Sequence, residues 1–182
     1  MTGSNDRSES TAAPGGGTEA QAKDACLRLL TVRARSRAEL EQRLHKRGFA
    51  AEVVEHTMER LTEMRLIDDA EFAEQWVHSR HRHSGKGRAV IAQELRNKGV
   101  QPADVQRALD TISREDERER AVDLVRRKLR GSHPPADSAD RDRLVRRLVG
   151  MLARRGFNQS LALDVVRSEL ADPDIATDAL LD

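Results

Sequence analysis

Residues 78–88, HSRHRHSGKGR, hold the densest set of reactive side-chain types in the chain. Three kinds of chemistry are open to them. His78 and His81 stand three residues apart, which on a helix puts two imidazoles on one face within reach of one metal ion. No cysteine or carboxylate at ligand spacing joins them, and Arg80 and Arg82 repel a cation, so no metal site is expected. Gly85, Lys86, Gly87 and Arg88 have the composition of a phosphate loop. A Walker-type loop also needs a preceding strand and a longer Gly-to-Gly-Lys spacing, and neither is present. The stretch reads instead as a link that opens a helix. What remains is electrostatics: Arg80, Arg82, Lys86 and Arg88, with Arg96 and Lys98 downstream, as exposed cations for phosphates or acidic side chains. A solvated helix end explains so many adjacent like charges poorly, so contact with a polyanion or an acidic protein surface is expected.

The same sorting of charge recurs along the chain. The formal net charge is only +1, which by itself predicts no affinity for nucleic acid. By segment, residues 33–47 carry +4, residues 80–98 carry +5 and residues 126–155 carry +7, against −6 for residues 52–74. A nearly neutral protein can therefore still present basic surface. The candidate contacts are Arg33, Arg35, Arg37, Arg43 and Lys46, the cations of residues 80–98, and Arg126, Arg127, Lys128, Arg130 and Arg154. The acidic segment is open to two readings: it meets a basic protein surface, or it keeps one side of the molecule soluble.

Catalysis is not expected. The carboxylates fall mainly at helix starts or beside opposite charges, and no nucleophile elbow, metal dyad or Ser/His/Asp grouping is visible. No catalytic residue and no cofactor follows. Cys26 is the sole cysteine, so no internal disulfide forms. Its apolar setting, ACLRLL, reads as a small buried filler, in keeping with a reducing cytoplasm. The N-terminus has no apolar secretion core, and no window approaches the roughly 20 apolar residues a membrane helix needs. Cytoplasmic localisation without membrane contact is expected.

Positioning such cations falls to helices. Charged residues make up 35% of the chain and aromatics 2%, with few β-branched runs, a mixture that suits amphipathic helices with wide solvated faces. An internal repeat sharpens this. ELEQRLHKRGF (39–49), VIAQELRNKGV (90–100) and RLVGMLARRGF (147–157) each end on a basic residue, a glycine and an apolar residue. Leu40, Ile91 and Leu148 lie at one register before the glycine, and Leu44, Leu95 and Leu152 at the next. Beyond it Val54, Val105 and Ala162 correspond, as do Met58, Leu109 and Val166. Apolar residues four apart share one helix face, and Gly48, Gly99 and Gly156 can take the left-handed conformation that closes a helix. A further helix precedes each pair.

The expected helices cover residues 20–33, a second begun by the capping box at Ser36 and Glu39, a third after Gly48, a fourth starting at Asp68, then 87–98, 102–113, 115–130, 141–155 and 159–170. Asp68 and Asp69 start the fourth. Phe72 and Trp76 face the core from it rather than serving as a base-stacking platform. The expected organisation is all-α, three tandem three-helix repeats in an elongated array: a disordered tail 1–19, repeats 20–67, 68–113 and 114–171, and a C-terminal tail 172–182. GSHPPADSAD (131–140) reads as a loop.

LIDDAEFAEQWVHSR (66–80), followed by GKGRAVIAQELRNKGV (85–100), resembles the RecX family, modulators of the bacterial recombinase RecA. RSRAELEQRL (35–44) and LARRGF (152–157) extend the resemblance over residues 25–170. It implies three tandem three-helix units and a protein that lies in the helical groove of the RecA–DNA filament, where it restrains ATP hydrolysis and strand exchange. It brings no catalytic residue. The tail and the 131–140 loop depart from the shortest members and receive no family role. The expected partner is thus the RecA filament, with weak, salt-dependent binding to single- and double-stranded DNA, by a monomer. The alternative is a sequence-independent DNA-binding helical protein with no recombinase partner. The threefold repeat argues against a dimeric helix-turn-helix repressor.

Overall fold

A computed structural model describes residues 17–130 and 135–171, and every regular element among them is an α-helix. Of the tail expected over residues 1–19, residues 1–16 lie outside the described residues, as do positions 131–134 of the loop and the tail 172–182, whereas Thr18 caps the first helix and Glu19 begins it. The helices are α1 Glu19–Val32, α2 Arg37–His45, α3 Ala51–Glu63, α4 Asp69–Arg82, α5 Arg88–Asn97, α6 Pro102–Leu109, α7 Arg114–Leu129, α8 Ser138–Arg154 and α9 Gln159–Ala171. They fall into two compact units, residues 1–68 and 69–182.

In the first unit α1, α2 and α3 close around Leu40, Leu44, Val54, Met58 and Leu61. In the second, α4, α5 and α6 enclose Phe72, Val77, Ile91, Leu95 and Val105. There α7, α8 and α9 enclose Val125, Leu148, Leu152, Phe157 and Val166. The apolar positions shared by the three repeats are buried except Phe49, which is half-buried, and the pairs Leu40/Leu44, Ile91/Leu95 and Leu148/Leu152 are fully so. Full burial of one such side chain is worth about 1.5–3 kcal/mol. Cys26 lies in the first core. Burial, partly offset by the Arg47 charge, pushes its thiol up to about 11.

Local signals set the helix ends. Thr18 with Gln21, Ser36 with Glu39 and Ser113 with Asp116 form capping boxes, each satisfying otherwise unpaired N–H groups. At the other end, the N–H groups of Phe49, Val100 and Phe157 donate to the carbonyls of Leu44, Leu95 and Leu152. This six-residue closure needs a left-handed residue, supplied by Gly48, Gly99 and Gly156 with φ of 83°, 74° and 91°. Two elements differ from expectation. α6 stops at Leu109 rather than running to 113, because Ser113 must turn extended to cap α7. α8 begins at Ser138, inside the expected loop, because the Asp137 carboxylate accepts from the Asp140 N–H at 2.7 Å.

One joint ties α5 to α8. The N-cap of α5 is Gly87, which has no side chain to offer. Carbonyls from the end of α8 take that role: the Gly87 N–H donates to the Arg155 carbonyl at 2.8 Å and the Ala89 N–H to the Gly156 carbonyl at 3.2 Å. The negative end of one helix thus meets the positive start of another. Both glycines are needed for the approach. A Cβ on Gly87 would lie 2.5 Å from the Gly156 carbonyl, and one on Gly156 would lie 2.5 Å from the Val90 nitrogen.

The three glycines should therefore rank by what surrounds them. Gly48→Ala adds only left-handed strain, since nothing lies within 4 Å of its Cβ position, and should cost about 1 kcal/mol. Gly87→Ala and Gly156→Ala should each cost about 2 kcal/mol or more, with Gly156→Ala the worst, because backbone must move. Urea melts of the three variants test this order, and equal losses would contradict it. Cys26 should react with an aromatic disulfide reagent at pH 8 only after unfolding. Rapid labelling of the native protein would contradict its burial.

Candidate functional site

The basic cluster of residues 78–88 is folded around one carboxylate. α4 packs on α5, which brings Glu94 beside residues 76, 80 and 86. The Trp76 Nε1–H donates to Glu94 Oε2 at 2.9 Å, and Arg80 Nε lies 3.1 Å from the same oxygen. Lys86 Nζ donates to Oε1. Burial alone would raise the Glu94 pKa. Hydrogen bonds from Lys86 and Trp76 and the charges of Lys86 and Arg80 outweigh it and hold the carboxyl below the usual range. The Arg80 guanidinium sits 4.2 Å from the Trp76 ring centre and Lys98 Nζ 4.3 Å, so cations cover the half-buried indole. Phe72 is buried, 5.7 Å from Trp76. Both aromatics belong to the core side of the cluster, and neither is a free stacking surface.

The expectation that these cations are exposed therefore needs correction. Arg80, Lys86 and Arg88 are half-buried and ion-paired. Arg88 reaches Asp110 at 3.1 Å and the Ile112 carbonyl at 2.9 Å, pinning α5 to the end of α6. The physical reason is that a count along the chain finds one acid among six cations, whereas helix packing brings Glu94 to Trp76, Arg80 and Lys86 together and Asp110 to Arg88. His81 is buried too, and its Nδ1–H donates to the Lys86 carbonyl at 3.0 Å. Arg82 is exposed but borders a cavity of about 410 Å³ with Asp116, Glu119 and Asp123 of α7. The hydroxyl and N–H of Ser113, and then the His81 and Arg82 charges, hold the Asp116 carboxyl below its usual range. Arg96 is exposed and donates to Gln93.

The other candidates divide the same way. In the first unit Arg33 forms a two-point pair with Glu39, Arg35 donates to the Leu29 carbonyl at 3.3 Å, and Arg37 bridges Glu41 and Glu55. Arg43 and Lys46, by contrast, are exposed at the end of α2. In the α7–α9 module Arg126 grips the buried Glu169 carboxylate through Nε at 2.6 Å and a second nitrogen at 3.2 Å, tying α7 to α9. Arg127, Lys128, Arg130 and Arg154 are exposed. Arg43, Lys46, Arg82, Arg130 and Arg154 pair with no carboxylate among the described residues. Arg47, Arg146 and Arg155 are equally exposed and were legible only in the segment charge count, not as individual candidates. Glu94 carried no local signal, because its partners lie up to 18 positions away. Asp69 opens α4 directly after Asp68, as expected. No group of three or more His, Cys, Asp or Glu suited to a metal occurs among the described residues. No helix among them is long and apolar enough to cross a membrane.

Comparison with known proteins adds to this geometry. Residues 22–61 match the family model of the first three-helix domain of RecX, and residues 68–109 that of the second. The chain is 54% identical over 154 residues to regulatory protein RecX of Mycolicibacterium smegmatis, covering 85% of this chain and 82% of that one. It is 52% identical to regulatory protein RecX of Mycobacterium avium, covering 84% and 87%. The crystal structure of RecX from Lactobacillus salivarius superposes with a TM-score of 0.74 at 25% identity, over 84% of this chain and 96% of that one.

The Glu94 cluster has a signature in pH. Its folded carboxyl titrates below the unfolded one, so its contribution is complete above the ordinary carboxylate range near 4 and is lost as the pH falls through the lowered folded value. Glu94→Gln should destabilise the protein at pH 7 by roughly 1–3 kcal/mol, and the gap from wild type should close towards pH 3. Thermal melts at both pH values provide the check. Equal stability at pH 7 would mean that the carboxylate holds nothing in place.

Proposed function

This chain belongs to the RecX family of regulatory proteins, and from that premise we propose that it is a negative regulator of the recombinase RecA. It binds the RecA–DNA filament along its groove, slowing ATP hydrolysis and strand exchange, and acts as a monomer without a cofactor. The observation that carries the reading is the division among its cations. Those that hold the fold are paired within it, whereas Arg127, Arg130 and Arg154 at the ends of α7 and α8, with Arg43 and Lys46 at the end of α2, stay exposed and meet no carboxylate among the described residues. Exposed arginines and lysines at helix ends suit the phosphates of a filament's DNA or carboxylates on its protein. Bare DNA then binds weakly and with strong salt dependence.

Replacing Arg127, Arg130 and Arg154 together with Ala removes exposed charge without touching the Glu94 or Glu169 pairs. Titrated into an ATPase assay on RecA filaments, wild-type protein should inhibit at substoichiometric amounts. The triple variant should need several-fold more protein at an unchanged melting temperature, with a shallower salt dependence of DNA binding. Full inhibition by the variant would place the contact elsewhere. Wild-type protein that binds bare DNA but leaves the ATPase unchanged would favour a DNA-binding protein without a recombinase partner.

A further inference from the structure

The end of α3 repeats the closure of α2, α5 and α8 with the opposite outcome. The Leu66 N–H donates to the Leu61 carbonyl at 2.9 Å, the same six-residue closure. Here the left-handed seat is taken by Arg65, with φ of 53°, the sole non-glycine at positive φ among the described residues. A side chain there costs on the order of 1 kcal/mol or more. In the other three closures the next residue, Phe49, Val100 or Phe157, packs back towards the core. At α3 that residue is Leu66, which is 41% exposed, and Met64 before the strained arginine is 51% exposed. Val32 is the third large apolar residue exposed among the described residues, so two of the three flank one strained position. They stand in the most acidic segment of the chain, with Glu59 and Glu63 exposed on the last turns of α3.

An acidic face that only confers solubility needs neither an exposed methionine and leucine, the Met64 sulfur accepting only from Lys23 Nζ at 3.9 Å among the described residues, nor a strained turn. We propose that residues 63–66 are a protein-docking knob: Met64 and Leu66 enter an apolar recess on a partner protein, and lysines or arginines at its rim meet Glu59 and Glu63. Charge selects the occupant. Residues 52–68, the part of that segment within the first unit, carry −3, which disfavours a polyanion, so this surface faces protein and the basic surfaces face nucleic acid. The inference rests on the filament reading above and divides that contact into two separable parts.

The test measures binding of the full chain to two probes. One is a RecA filament assembled on a single-stranded oligonucleotide with a non-hydrolysable ATP analogue, and the other is the same oligonucleotide bare. Met64→Ser/Leu66→Ser should weaken filament binding about tenfold, leave bare-DNA binding unchanged and keep the helical circular dichroism of wild type. Glu59→Lys/Glu63→Lys should move the two affinities in opposite directions, weaker on filament and tighter on DNA. Val32→Ser should change neither. Filament binding that survives both double substitutions overturns the knob and leaves the filament reading standing, as do equal losses on filament and bare DNA. Wild-type protein that binds no filament overturns both.

Discussion

The nine helices among the described residues, of 8 to 17 residues each, cannot stand alone in water, and what holds each group of three together is one apolar pair on its middle helix. Leu40 with Leu44, Ile91 with Leu95 and Leu148 with Leu152 are completely shielded, each pair lying on the face that the flanking helices cover. The rest follows from keeping those pairs dry. The glycine four residues later must turn the chain sharply enough for the third helix to return over the second. The residue after it must fold back as a lid. The opposite faces are left to carry charge, which is how a chain with so little apolar content still closes three cores.

Charge in this protein is of two kinds, and pairing with a carboxylate separates them. Arg80, Lys86, Arg88 and Arg126 are structural. Each is held by a carboxylate from another helix, and several also cover apolar surface with their stems or planes. Removing Arg80, Lys86 or Arg126 would leave the shielded carboxylate of Glu94 or Glu169 without a partner, a loss felt as instability before it is felt as lost binding. Arg43, Lys46, Arg130 and Arg154 answer to no carboxylate among the described residues and are available to a partner. A dense basic stretch can thus be mostly scaffold, while sparser cations at helix ends form the usable surface.

The helix closures show one device serving different ends. At Gly48 the turn is open to solvent, at Gly156 it is pressed against Val90 and caps α5, and at Arg65 it holds two apolar side chains outward. The backbone hydrogen bonds are nearly the same in each case. What differs is which side chains the turn carries and what other chain lies within reach, so the motif specifies a geometry and not a role.

Much of the fold was legible because its determinants are local. Apolar residues at helical spacing, a hydroxyl or carboxylate before a helix and a glycine after one act over four to six residues, so reading along the chain recovers the helices, their order and the buried face of each. Even Phe72 and Trp76 could be assigned to the core from spacing alone. The partners of Arg80, Lys86 and Arg126 could not, because Glu94 and Glu169 reach them only after helices pack, across up to 43 positions. Nor could the meeting of Gly87 with Gly156, which depends on two backbones approaching to within a hydrogen bond. Periodicity and capping thus determine where helices form and which side is dry. Which charges are spent within the fold and which remain for a partner is a question of distance in space, and only tertiary packing decides it.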